Sequence, residues 1–89
     1  MKQLRIKIEG VVQGVFFRAF VQETAQNLGL KGYVKNMPDG SVEAVAQGSD
    51  DRLQKLVEEC KKGPEGSRVD KVETEDQEPE ELTGFQILR

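Results

Sequence analysis

From Leu4 the chain alternates, with Leu4, Ile6 and Ile8 apolar and Arg5, Lys7 and Glu9 charged. A period of two predicts a half-buried strand with one wet face. The period then changes: Phe17, Phe20, Val21, Thr24, Ala25 and Leu28 recur at three- and four-residue spacing. That pattern predicts a helix with one buried stripe, stopped at Gly29. "KGYVKN" from Lys31 reads as a second strand, "MPDG" as a turn and "SVEAVAQG" as the returning strand. Proline, aspartate and glycine in that order suit a type I turn with Gly40 left-handed, making the pair a hairpin.

Ser49 stands where a cap for a second helix is needed, followed by Asp50 and Asp51 at the end that favours acids. The apolar stripe of this helix is Leu53, Leu56, Val57 and Cys60, and Gly63-Pro64 ends it after Lys61 and Lys62. Cys60 is a core position on this pattern. A fourth strand is expected around Arg68–Asp76, where Val69 and Val72 are out of phase and call for a bulge or a late start. A short last strand, "GFQILR", is expected to carry Phe85 and Ile87 inward. The order is β-α-β-β-α-β with a closing strand: the α+β, ferredoxin-like sandwich, two helices on one face of a mainly antiparallel sheet. Residues 1–89 are read as a single domain.

Composition narrows this picture. One cysteine and no histidine leave neither an internal disulfide nor a thiolate–histidine metal set. A reducing, cytoplasmic setting is the default. The N-terminus is not a signal peptide, and no segment is long and apolar enough for a membrane span. The net charge of −3, with acids dense in "ETEDQEPEE" at 73–81, argues against a nucleic-acid binder. The acidic run itself is expected to be a solvated loop or strand edge.

The candidate chemistry lies in "GVVQGVFFR", Gly10 to Arg18, between the first strand and first helix. Gly10 and Gly14 let the backbone curl so that successive N–H groups point into one concavity. The free N–H groups of the helix start add to it. Arg18 is a cation in the first helical turn, where the dipole disfavours it, and a bound anion would offset that cost. A right-handed crossover makes the first two strands parallel and brings Arg18 and Asn36 to one rim of the sheet. The loop does not match the P-loop pattern or G-x-G-x-x-G. Read alone, Arg18 suits a solvated surface as well, Asn36 a turn that caps its own backbone, and Gln13, Tyr33 and Lys35 ordinary strand or loop surface.

"GVVQGVFFR" resembles the first signature of the acylphosphatase family, G-x-V-Q-G-V-x-F-R, at every specified position. "GYVKNMPDGSVEAVAQG", from Gly32 to Gly48, is similar to the second, and "GPEGSRVDKVE" and "GFQILR" are also similar to members. Thr74 and the density of acids depart mildly from the family pattern.

The resemblance implies a metal-independent hydrolase of small acyl phosphates, with no cofactor, giving carboxylate and inorganic phosphate. Arg18 would bind the phosphoryl group with the backbone loop of Gly14, Val15, Phe16, Phe17 and Arg18. Asn36 would position the attacking water. Nothing in either motif serves as a nucleophile, so water is expected to attack phosphorus directly. A monomer without nucleic-acid or membrane partners is the simplest state. Two alternatives share the plan: an acylphosphatase-like module of a larger protein that handles carbamoyl phosphate, and an RRM-type domain, whose aromatic RNP signature is missing.

Overall fold

A computed structural model describes residues 1–89. The elements are β1 (Lys2–Val11), α1 (Phe17–Asn27), β2 (Lys31–Asn36), β3 (Val42–Gly48), α2 (Asp50–Lys62), β4 (Arg68–Gln77) and β5 (Phe85–Leu88). They form one five-stranded sheet in the order β4-β1-β3-β2-β5. β1 and β2 both run antiparallel to β3, so they are parallel to each other, as the crossover requires. Only β2 and β5 pair in parallel.

Alternation decides which face each strand buries. Leu4, Ile6 and Ile8 of β1 face the helices together with Val42, Ala44 and Ala46 of β3 and Val34 of β2. Phe17, Val21 and Ala25 of α1 and Leu53, Leu56, Val57 and Cys60 of α2 close on them, as their spacing predicts. Burying each large side chain of this set contributes about 1.5–3 kcal/mol. α1 covers the β2–β5 half of the sheet and α2 the β1–β4 half.

The out-of-phase valines are resolved by a bulge. Glu9 pairs with Lys71 but Gly10 with Val69, leaving Asp70 as the extra residue. Skipping one residue brings Val69 and Val72 to the same side, where both pack against the core. Gly10 is required there, since a Cβ would strike the carbonyl oxygen of Arg68.

Two expectations need correction. Ile87 has the inward register, opposite Val34, yet is 38% exposed, because it lies on the edge strand where the start of α1 leaves the sheet uncovered. Ser49 is the N-terminal cap residue of α2, but its hydroxyl makes no capping hydrogen bond. The acidic run divides: 73–77 belongs to the edge strand β4, and 78–81 to the crossing that leads to β5. That crossing shelters Gln3 and Gln47 on the helix-free face. Gln47 Nε2 donates to Gln3 Oε1 at 3.0 Å and to the Glu80 carbonyl at 2.7 Å.

Candidate active site

The site forms where β1 and β2 end side by side. Asn36 closes β2 and lies in one row with Val42 of β3 and Ile8 of β1. It therefore faces the helix layer, like Val34 two residues before it. Its Oδ1 is buried and accepts no hydrogen bond from the protein. Such an orphan costs about 1–3 kcal/mol, so a polar atom kept in that state points to a partner from outside the chain.

Beyond Val11 the chain must reverse into α1 within a few residues. Gly14 at φ +76 and Phe16 at φ +61, ψ +25 make the turn. The left-handed region is open to glycine but costs a phenylalanine about 1–2 kcal/mol. The backbone N–H groups from Gly14 to Arg18 donate to no backbone carbonyl; the first bond into this helix runs from Phe20 N–H to Phe16 C=O. α1 begins with no side-chain cap and no acidic residue in its first turn. A run of free N–H groups at a bare helix start is complementary to an anion.

Arg18 is half-buried beside this loop, and its Nη1 donates to the carbonyl oxygen of Leu88 at 3.0 Å. One arm of the guanidinium is thereby tied to β5. A cavity of about 280 Å³ separates Arg18 from the end of β2. Gly14, Phe16, Phe17 and Arg18 line it, with Asn36 on the other side. Val15, the remaining loop position, is not a lining residue; its side chain packs against the core. Arg18 is the only charged side chain in the lining.

Three lining residues escaped the sequence reading: Val12, Ala19 and Ile87. So did the role of Gln13, which is not loop surface. Its Nε2 donates to the carbonyls of Met37 and Ser41, both at 2.9 Å, tying the loop to the β2–β3 turn. The fixed glutamine of the first signature was the available signal. The turn is firm in its own right, with Gly40 N–H bonded to Met37 C=O at 3.1 Å. Asp39 accepts from the hydroxyl and the N–H of Ser41 and lies 3.2 Å from Lys7. These contacts, the Ser41 hydroxyl first, lower the Asp39 pKa to about 2.

Other chemistry-bearing groups lie elsewhere. Cys60 is sealed under α2, and burial pushes its thiol up to about 12, so it holds no thiolate at neutral pH. No three carboxylate or thiol side chains come together in a way that would hold a metal ion.

Fold and cleft define a class: a ferredoxin-like sandwich with a glycine-loop cleft at the ends of its parallel strands. The sequence profile of the acylphosphatase family matches residues 4–87. An acylphosphatase of Caldivirga maquilingensis is 47% identical over 87 residues, covering 96% of this chain and 92% of that one. The crystal structure of acylphosphatase from Bacillus subtilis superposes with a TM-score of 0.97 at 41% identity, covering all of both chains. Full-length HypF, in a phosphate- and nucleotide-bound form, matches with a TM-score of 0.93 at 31% identity, over 99% of this chain but 12% of that one. The chain belongs to the acylphosphatase family. Its members are enzymes, and their known activity is the hydrolysis of acyl phosphates.

Proposed function

We propose that residues 1–89 act as one metal-independent unit in which Arg18 and the N–H groups of the 14–18 loop hold the phosphoryl group, while Asn36 orients the attacking water. The observation that carries this reading is the buried, unpartnered Asn36 Oδ1 across a small cleft from the only charged lining residue. Turned into the cleft that Asn36 lines, this amide oxygen accepts a hydrogen bond from water and aims a water lone pair at phosphorus.

The substrate is a mixed anhydride, and its leaving group is a carboxylate that departs without a proton. No general acid is needed, which suits a chain without histidine. Water forms the new O–P bond, the bond from phosphorus to the acyl oxygen breaks, and a phosphate oxygen takes the proton. The transition state spreads negative charge over the equatorial oxygens, so catalysis reduces to charge stabilisation and positioning. No residue lining the cleft carries a thiol, hydroxyl, carboxylate or imidazole, which supports attack without a covalent intermediate.

The acylphosphatase of Caldivirga is matched over 92% of its length, which supports the same kind of activity for these residues. No helix is long and apolar enough to cross a membrane. A monomer acting in the cytoplasm on small acyl phosphates completes the reading. Hydrolysis of benzoyl phosphate in ¹⁸O-water with EDTA present tests the chemistry. Label is expected in inorganic phosphate and absent from benzoate, at a rate EDTA does not change. Label in benzoate, or a trapped phosphoenzyme, would refute direct attack on phosphorus.

A further inference from the structure

The cleft has a polar end and an apolar wall, and only the first has been used. Phe16 is 85% exposed and Ile87 38% exposed, and both line the cleft. Phe16 also holds the left-handed conformation that glycine or asparagine takes at less cost. The fold gains almost nothing from this ring, since little of it is buried. A large apolar side chain kept strained and wet on the wall of a cleft is accounted for by a ligand that covers it. Ile87 gives the same signal, with its side chain on the helix side of the sheet and no helix over it. Val12 and Ala19 continue the apolar lining, and no carboxylate or second cation interrupts it.

We propose that Phe16 and Ile87 form the acyl subsite, and that the protein's preferred substrates carry an apolar acyl group, aromatic or short alkyl. The inference rests on Arg18 and Asn36 being the phosphoryl site. With phosphorus held there, the acyl carbon lies one oxygen away and its substituent runs along the remaining wall. A flat or flexible hydrocarbon covers Phe16 and Ile87. A second carboxylate would lose water against that wall and meet no counter-charge beyond Arg18, which the phosphoryl group already engages.

The test compares kcat/KM for benzoyl, butyryl, acetyl and succinyl monophosphates, each divided by its rate in buffer, in wild type, Phe16→Asn and Ile87→Ser. Asparagine tolerates the left-handed backbone, so the first variant removes the ring and keeps the loop. Wild type is expected to favour benzoyl over acetyl, and butyryl over succinyl, by about tenfold, with each variant reducing both ratios to about threefold or less. Competitive inhibition by inorganic phosphate, measured on the same proteins, reports the phosphoryl site. A variant that loses this inhibition still reads the subsite, because damage to the phosphoryl site is common to all four substrates and cancels in the ratio. Wild-type ratios near one, or ratios unmoved in both variants, overturn the subsite. If Arg18→Gln keeps full activity and full phosphate inhibition, the phosphoryl reading falls and the subsite falls with it.

Discussion

The two helices of this protein start in opposite ways. α2 opens with Asp50 and Asp51 in its first turn and ends with Lys61 and Lys62, so its charges complement the helix dipole at both ends. α1 has no acid in its first turn, no base in its last, a left-handed phenylalanine where a cap belongs and an arginine beside it. Both helices bury a stripe of similar quality, so packing does not explain the contrast. The start of α2 lines no part of the cleft, and its charges act on stability. The start of α1 breaks local rules where it forms the wall of the cleft proposed to hold the phosphoryl group.

The sharpest way to break this comparison is at Arg18. If Arg18 holds the phosphoryl group as proposed, Arg18→Gln is expected to lower kcat/KM for benzoyl phosphate by about 10³-fold. Stability should change by no more than about 1.5 kcal/mol, since loss of the Nη1 bond to the Leu88 carbonyl is partly offset as a cation leaves a helix start that disfavours it. A large loss of Tm with modest loss of rate would make Arg18 a structural residue. Asn36→Ala should lower kcat about 10²-fold with KM nearly unchanged, because water positioning matters only in the reacting complex. A rise in KM at constant kcat would assign Asn36 to binding instead.

At α2 the expectations reverse. Asp50→Ala with Asp51→Ala should cost about 1 kcal/mol through the lost charge–dipole interactions and lower Tm by about 5 °C, leaving kcat/KM unchanged. Asp39, in the turn beyond β2, belongs with α2 as a group that serves stability. Its folded pKa of about 2 lies below the ordinary 3.8. Its contribution is therefore present above pH 4 and is lost as pH falls through that interval. Asp39→Asn should flatten the fall of Tm between pH 4 and pH 2. The smallest effect is expected at Ser49. With no capping bond to lose, Ser49→Ala should shift stability by less than about 0.3 kcal/mol, where a working cap would cost about 1.

Much of the fold was legible because its signals are local. Alternation along Leu4 to Ile8 placed β1, three- and four-residue spacing placed both helices, and Val69 with Val72 announced a bulge or a late start, of which the sheet shows the bulge. The rim shared by Arg18 and Asn36 followed from the parallel order of β1 and β2. What escaped depends on partners distant in sequence. Gln13 reaches across 24 residues to Met37, and Gln47 is buried only because the crossing at Glu80 covers it. Ile87 has the right register but lacks a roof, and no pattern in "GFQILR" reveals where a helix stops. The left-handed Phe16 was hidden because a phenylalanine gives no hint of a conformation that suits glycine.

The outer side of β4 bears on how copies of this chain behave together at high concentration. β4 pairs only with β1, so its other edge offers unbonded backbone groups to any second strand. Glu73, Glu75 and Asp76 stand exposed along it. Like charges on two such edges repel before their backbones can meet, and mutual docking into longer sheets is resisted.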